Sequence, residues 1–357
     1  MVTAVDAADI AKPVAPRGGG LWRYILVRLL LIIPTVFILV TVVFVLMRIT
    51  GDPITAALGG RLPPDQLAER IAQAGYDRPL IVQYFEYIGG ILRGDFGTTL
   101  TDNRPVIEIL LQYGSATLEL AIYALFVALL IGIPFGLLAA YKRDRWPDAT
   151  LRIGAILGYA TPIFFVGLLL KLVFSVWLSV LPVAGRASTR TELKFASIEN
   201  PTGIYLLDAI RLGDGAAAGD VLIHAILPGV ALGILTAGIF LRLVRTNVIG
   251  TLGAQYVTSA RSRGVGEYRL VTKHAYRPAL IPIITVIGLQ IALLLSGAVL
   301  TETTFEWKGL GFMLSEYLKA RDFVAVQGIV VIIAVLVAFT NFLVDVIAAI
   351  IDPRVGY

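Results

Sequence analysis

The residue types that most often carry out chemistry are few in this sequence and are poorly placed for catalysis. Cysteine is absent, and the two histidines, His224 and His274, lie far apart with no thiols or paired carboxylates at ligand spacing. A disulfide framework and a thiolate metal site are therefore excluded, and a histidine metal site is not supported. A Ser-His-Asp hydrolase site or an intramembrane His-Glu-x-x-His enzyme site is not supported either.

The sequence also lacks the loop with which P-loop enzymes bind ATP. That loop needs a lysine followed by Ser or Thr, and no lysine of this chain has such a neighbour. Asp95-Phe96-Gly97 has the letters of a kinase magnesium motif, but neither histidine is followed by the Arg of a His-Arg-Asp loop. We therefore expect no cofactor on this chain and no enzymatic activity of its own. If ATP drives a process here, a separate chain binds it.

The remaining polar residues lie in or between long apolar segments, and these segments indicate membrane-spanning helices. Hydrophobic residues make up 57% of the 357 residues and charged residues 15%, well below the roughly 25% charged residues of a soluble domain. A membrane-spanning helix needs about 20 apolar residues. We predict an all-α integral membrane fold with six transmembrane helices, at about 25–47, 117–139, 153–181, 221–244, 279–300 and 329–351.

The distribution of Lys and Arg predicts the orientation. Basic residues concentrate in 140–152, in 242–278 and before the first span. The other loops, 48–116, 182–220 and 301–328, are balanced or slightly acidic. Cytoplasmic loops carry the excess of positive charge, so both termini are expected in the cytoplasm. The net charge of +5 is thereby explained by the membrane, and no nucleic-acid partner is expected.

The basic loop between the fourth and fifth spans is patterned as a docking element. YVTSARSR predicts a short helix, Gly264 ends it, and EYRLVTKHAYR predicts a second helix leading to Pro278 and Pro282. Such a pair would form a rigid knob below the membrane whose basic face could dock on an acidic groove. The alternative is a basic cytoplasmic loop without a partner.

This loop resembles that of a known family. Thr258-Ser259-Ala260-x3-Gly264 falls where binding-protein-dependent ABC permeases carry Glu-Ala-Ala-x3-Gly, with Thr258 in place of the usual Glu. The longer string Tyr256-Val257-x2-Ala260-Arg261-x2-Gly264-Val265, followed by His274 and Pro282, is similar to the dipeptide/oligopeptide/nickel branch of this family. Within that branch it resembles the B-type permease subunit of peptide importers. Further strings follow in family order, from Gly51-Asp52-Pro53 to Asp352-Pro353-Arg354. The resemblance implies that a coupling helix contacts the ATPase through Tyr256, Val257, Thr258, Ala260, Arg261, Arg263, Gly264 and Val265.

The resemblance also implies an architecture and a set of partners. The fold would be that of a type I ABC importer (MetI-like) permease, N-in/C-in, in the bacterial inner membrane. It would pair with a second, homologous permease, with two ABC ATPase subunits or domains that bind ATP and Mg, and with an extracytoplasmic substrate-binding protein or lipoprotein. The implied substrates are di- and oligopeptides. Nickel or another small solute is an alternative, and an ion-coupled secondary transporter is an alternative of a different class.

Three regions are expected along the chain. Residues 1–24 would form a disordered cytoplasmic tail, residues 25–116 the first transmembrane helix plus a long extracytoplasmic loop, and residues 117–357 a five-helix permease core with the cytoplasmic coupling loop 245–278. The outer loops contain candidate short helices in PDQLAERIAQAGY, PLIVQYFEYIGGIL and TGIYLLDAIRL. These helices would either contact a partner protein or pack as a lid over the ends of the spans.

Ionisable and polar residues inside spans are candidates for function because each is costly in contact with lipid. Lys171 lies well inside the third span, Glu119 near the outer end of the second, and Asn341 and Asp345 share one face of the sixth. They would either line a pathway or join helices, and for Asn341 and Asp345 we favour contacts between helices. Gly132-x3-Gly136 and Gly229-x3-Gly233 predict close helix packing.

Overall fold

The computed structural model describes residues 21–49, 51–60 and 62–351, and regular structure in these ranges is helical apart from one isolated bridge between Thr98 and Pro105. Most of the tail predicted at 1–24 lies outside the described residues. The first helix already begins at Leu21, so residues 21–24 are helical, which corrects the predicted boundary. Trp22, Tyr24 and Ile25 continue the apolar character of the span toward its start.

The helices follow one another in chain order, most of them with short connections. They are α1 Leu21–Ile49, α2 Pro53–Leu58, α3 Pro64–Gln73, α4 Leu80–Leu92, α5 Val106–Tyr141, α6 Trp146–Ala160, α7 Ile163–Leu170, α8 Thr189–Ala196, α9 Tyr205–Arg211, α10 Gly215–Leu252, α11 Gln255–Ser262, α12 Glu267–Arg269, α13 Tyr276–Phe305, α14 Leu310–Lys319 and α15 Phe323–Ile351. Two π-helical segments, Lys171–Trp177 and Leu270–Ala275, extend α7 and join α12 to α13.

Four of the described helices, α1, α5, α10 and α15, are long and apolar enough to cross a membrane. The number rises to six if two bent pairs each count as one span. The first pair is Trp146–Ala160 with Ile163–Trp177, and the second is Glu267–Leu280 with Pro282–Leu295, whose bend of 57° lies within α13. The predicted short helices in the connecting loops are confirmed as α3, α4 and α9.

The third predicted span is not one continuous helix, and in this respect the prediction was wrong. Helix α6 ends at Ala160, and the two halves of the segment meet at an angle of 105°. Thr161 has an extended backbone, with φ −85° and ψ 131°, because Pro162 disfavours the helical conformation of the residue before it. Pro162 also has no N–H to continue the helical hydrogen bonds.

The core lies where α5 packs against α10. A Cβ atom placed on Gly132 would lie 2.6 Å from Cβ of Phe240, and one placed on Gly136 would lie 2.7 Å from Cβ of Val244. From the other helix, a Cβ on Gly233 would lie 2.6 Å from the carbonyl oxygen of Ala124. Glycine is therefore required for this approach, and the predicted packing role of the glycine pairs is confirmed for these three positions.

Candidate coupling loop and polar contacts

The short helix α11 is held beside the ends of α5 and α10 by a single buried anchor. Val257 is fully buried, whereas Tyr256, Thr258 and the arginines after Ala260 are exposed. The helix ends at Gly264, whose φ of +82° favours glycine. The amide of Val265 then donates to the carbonyl of Ala260 at 3.2 Å, a closing pattern that satisfies helix-end carbonyls. The predicted short helix with a glycine stop is therefore present.

The two arginines of this loop differ in what they contact. Nε of Arg261 lies 2.6 Å from Oε1 of Glu267, and this hydrogen bond raises the pKa of the Arg261 guanidinium. Arg263 is exposed, and its side chain forms no hydrogen bond or ion pair with any residue in the described ranges. Arg261 therefore closes the turn around Gly264, while Arg263 presents an uncommitted positive charge at the surface.

The loop is fastened to the core by the segment that follows it. EYRLVTKHAYR was predicted as one helix, and it forms α12, the π-helical segment and the start of α13. Val271 and Ala275 are buried in the same cluster as Ala140 of α5 and Val244 of α10. The segment that follows α11 is therefore packed directly against the ends of the two most closely packed helices.

A buried ion pair that the sequence did not reveal lies near this loop. Nε and Nη2 of Arg245 donate to the two carboxylate oxygens of Asp148, at 2.6 and 2.7 Å, and Asp148 is fully buried. The amide of Asp144 also donates to Asp148, at 3.0 Å. The pair joins the start of α6 to α10. In the sequence both residues read only as charges at the cytoplasmic ends of spans.

Lys171 is bound within the protein. Its Nζ donates to the carbonyl oxygen of Thr304 at 2.7 Å, close to the end of α13, and lies 5.6 Å from the centre of the Phe305 ring. Carbonyls in the last turn of a helix lack partners within the helix, so a lysine there satisfies one of them and complements the helix dipole. This geometry gives Lys171 a capping contact.

Glu119 is also bound internally. It is 2% exposed, its Oε2 lies 2.5 Å from Nη2 of Arg186, and its Oε1 accepts from the hydroxyl of Tyr123 and the amide of Leu206. The guanidinium of Arg186 lies over the ring of Tyr205, 3.7 Å from its centre. Glu119 therefore fastens α5 to the loop between α7 and α10.

Asp345 and Asn341 lie at the contact between α1 and α15. Oδ2 of Asp345 is 3.0 Å from Nη1 of Arg28, and Asn341 lines the same small cavity of about 130 Å³. Lys171, Glu119 and this pair are held in three different places. The structure thus brings the predicted residues of the coupling loop together but does not gather the predicted intramembrane polar residues into one site.

Sequence reasoning also missed a buried carboxylate at the end of α13. Glu302 is fully buried, accepts a hydrogen bond from the hydroxyl of Thr117 at 2.6 Å, and accepts another from the amide of Phe312 at 2.9 Å. Gly309 packs directly on this carboxylate, since a Cβ there would lie 2.5 Å from it. The available signal is the string that begins at Glu302 and continues through Trp307 and Gly309, one of those that follow the family order.

Comparison with known proteins assigns the chain to a family. Residues 132–357 match the family described as binding-protein-dependent transport system inner membrane component, and residues 21–121 match the N-terminal part of such membrane components. These two matched segments run from α1 to α15 and include the coupling loop, with residues 122–131 inside α5 between them.

Several curated relatives align over almost the whole chain. The dipeptide transport system permease protein DppB of Escherichia coli (strain K12) is 39% identical over 340 residues, which cover 94% of this chain and 99% of that protein. The di/tripeptide transport system permease protein DppB of Pseudomonas aeruginosa is 38% identical, with 92% and 97% covered. The glutathione transport system permease protein GsiC of Salmonella choleraesuis is 34% identical, with 94% and 99% covered.

The family fits what the chain contains and what it lacks. The sequence has several long apolar helices and no Walker A lysine, as expected of a multi-pass inner-membrane subunit whose ATP is hydrolysed by separate subunits. It is therefore a transport component and not an enzyme. The chain belongs to the family of binding-protein-dependent transport system inner membrane components, the membrane-spanning permeases of ABC importers.

Proposed function

We propose that this chain is one of two permease subunits of an importer that carries di- and oligopeptides into a bacterial cell. Several relatives are named for dipeptides or di/tripeptides, and this supports the substrate class. The partners in this proposal are a second, homologous permease, two ATPase subunits or domains that bind ATP and Mg, and an extracytoplasmic binding protein. The path for the peptide runs between the two permeases.

One observation carries the coupling part of the proposal. Helix α11 combines a buried anchor at Val257 and a glycine stop at Gly264 with an exposed, uncommitted Arg263. A loop that served only as a connector would need neither a fixed helix nor a packed support beneath it. The arrangement fits a rigid element that docks in a groove of another protein and passes that protein's movement to α5 and α10 through Val271.

The proposed topology has six spans with both termini in the cytoplasm. The bent pairs then each cross the membrane once, and α11 lies on the cytoplasmic side together with the short link 142–145 between α5 and α6. The four basic residues Lys12, Arg17, Arg23 and Arg28, before and at the start of α1, support this orientation, as does the basic loop that contains α11. ATP binding would draw α11 with the closing ATPases, open the path outward to the binding protein, and hydrolysis would return it inward.

The test of this function is an assay of coupling in the reconstituted importer. Arg263→Glu should lower peptide uptake roughly tenfold or more, because it would place a negative charge against the acidic groove of the ATPase in which α11 docks in this proposal. The protein should still insert in the membrane. Arg70→Glu, which reverses an exposed arginine on α3, is the matched control and should transport normally. Normal uptake by Arg263→Glu would contradict docking through α11.

A second arm of the same assay tests the substrate. Labelled di- to hexapeptides should be taken up in an ATP-dependent manner, and nickel should not be. Uptake of nickel with no uptake of any peptide would assign the chain to the nickel importers of the same branch. Uptake that continues without ATP and follows an ion gradient would exclude the ABC mechanism.

A further inference from the structure

The face of α10 that is turned away from α5 borders a cavity of about 520 Å³. The residues of α10 that contact α5, among them Ala237, Leu241 and Val244, lie on one side of the helix. Arg242 and Thr246, which line the cavity, lie on the opposite side according to the 3.6-residue repeat. Helices α6 and α13 close the cavity, so it opens beside the core and not into it.

Arg242 is the uncommitted charge of this cavity. It is exposed and has no ion pair or hydrogen bond with the part of the chain that the structure describes. Arg245, less than one turn further on, donates from Nε and Nη2 to the carboxylate of Asp148. The two arginines lie on neighbouring faces of one helix but differ in their partners. The charge of Arg245 is neutralised inside the protein, whereas Arg242 is free to bind a ligand.

The depth of Arg242 brings its guanidinium within reach of the cytoplasm in the proposed orientation. From Asp220, near the start of α10, to Arg242 the helix rises about 33 Å at 1.5 Å per residue, while the hydrocarbon layer is about 30 Å thick. Arg242 therefore lies at the cytoplasmic edge of the apolar layer, where a long basic side chain reaches water. A soluble ligand on this side of the layer can contact it there.

The other groups around Arg242 indicate which ligand the cavity accepts. Tyr159 and Thr246 bring hydroxyl groups, and no acidic side chain is among the residues that line it. Asn247 also lines it, but its amide nitrogen already donates to the carbonyl of Leu243 at 2.9 Å. The cavity therefore offers a positive charge and hydroxyl donors on otherwise mostly apolar walls. A guanidinium binds a carboxylate through two parallel hydrogen bonds.

We propose that Arg242, with the hydroxyl of Tyr159, binds the terminal carboxylate of a peptide as it passes through the cytoplasmic half of the transport path. Thr246, one turn further along α10, lines the cavity but is not required for this contact. This proposed contact rests on the proposed peptide-import function and adds to it a site on the permease itself. Every linear peptide with a free C-terminus has this carboxylate, whatever its side chains. The site would therefore accept peptides of different sequence and recognise the charged C-terminus. The apolar wall, which includes Val286, accepts varied side chains.

The chain contains no cysteine, which permits a direct occupancy test. In the assembled importer in inside-out vesicles, Thr246→Cys is labelled with a charged, membrane-impermeant maleimide in the presence of a tripeptide added to the cytoplasmic side. Delivery by the binding protein is then not required. The tripeptide with a free carboxylate should slow labelling by about tenfold, the least expected from a charge-assisted hydrogen bond, and its C-terminally amidated counterpart should not.

Variants of Arg242 test the role of the charge. In the Thr246→Cys background, Arg242→Gln should abolish protection by the tripeptide, and Arg242→Lys should retain part of it. Ile38→Cys, on the exposed face of α1, is the control for a lipid-facing position and should react only with a lipid-soluble maleimide. Equal protection by both tripeptides, or protection that survives Arg242→Gln, would overturn the proposal.

Other outcomes separate this proposal from the function on which it rests. If Thr246→Cys reacts only with the lipid-soluble reagent, the cavity faces acyl chains and the carboxylate site is wrong, even where peptide uptake is normal. If the Thr246→Cys importer takes up peptides with ATP but no peptide slows labelling, the site is again wrong and the importer stands. If no peptide is taken up by the unmodified importer either, the proposed function itself fails.

Discussion

Arg245 holds Asp148 through two hydrogen bonds, of 2.6 and 2.7 Å, and thereby ties the start of α6 to α10 at the level where α10 leads into α11. The carboxylate is fully buried and the guanidinium is 17% exposed. The pair therefore holds the start of α6 against α10 about two turns before α10 ends at Leu252.

The first prediction concerns the stability that this pair provides. Asp148→Ala should lower the free energy of unfolding by about 3–5 kcal/mol, because removing one partner leaves the other charge buried and unpaired. Thermal unfolding of the purified protein in detergent measures the effect. Arg152→Ala removes a more exposed arginine 3.6 Å from the same carboxylate and should cost no more than about 1 kcal/mol.

The double variant Asp148→Leu with Arg245→Met checks the cause. It removes both charges, so it should lose less stability than Asp148→Ala alone. If the double variant is instead the least stable of the three, the pair matters through packing and shape, and the unpaired charge is not the reason for the loss.

The second prediction concerns the contact between α5 and α10. Gly136→Ala should destabilise the protein by about 1–3 kcal/mol, because the new Cβ would lie 2.7 Å from Cβ of Val244 and force the helices apart. Gly154→Ala on α6, where nothing lies within 4 Å, should be neutral or should gain up to about 1 kcal/mol from helix propensity. Chemical denaturation in mixed micelles measures both, and shifts of the same sign would contradict close packing at Gly136.

The third prediction separates docking from loop shape in the coupling loop. Arg261→Glu alone breaks the ion pair with Glu267 and should uncouple ATP hydrolysis from uptake. Exchanging the two charges, Arg261→Glu with Glu267→Arg, restores an internal pair with the opposite polarity. If Arg261 acts only by shaping the turn, the exchange should recover uptake. Uptake that remains lost in the exchanged variant would mean that the sign of the charge at position 261 is read by the ATPase.

The fourth prediction assigns Lys171 to structure. Lys171→Met removes the hydrogen bond to the carbonyl of Thr304 and should lower stability by about 1–2 kcal/mol. It should lower the uptake of every peptide by the same factor, because the ammonium group is hydrogen-bonded within the protein and does not contact the substrate. Competition among dipeptides of different charge measures the order of preference, and a changed order would show that Lys171 contacts the substrate.

Apolar length predicted where the chain crosses the membrane but not where its helices end. Helix α5 starts at Val106 and α10 starts at Gly215, before the apolar stretches expected at 117–139 and 221–244, because a helix continues past the hydrocarbon layer at no cost from lipid. The helix and glycine stop of the coupling loop were predictable because they depend on neighbouring residues. The function of this short helix depends on a partner protein, and the local sequence pattern cannot establish it.

There is a physical reason why the internal ion pairs could not be predicted from the sequence. Asp148 and Arg245 are 97 positions apart, and Glu119 and Arg186 are 67 apart. Each of these charges lies near the end of a span, where a solvated charge is equally favourable. Only the three-dimensional packing decides whether such a residue meets water or another side chain, and here all four meet a partner.

The glycine contacts of α5 and α10 have a mechanical consequence. Main chains that touch at Gly132, Gly136 and Gly233 leave neither helix room to slide along the other, so we expect the two helices to move as one body. The helical hydrogen bonds are already interrupted between Thr161 and Pro162. We therefore expect the angle between α6 and α7 to change at this break more readily than within either helix.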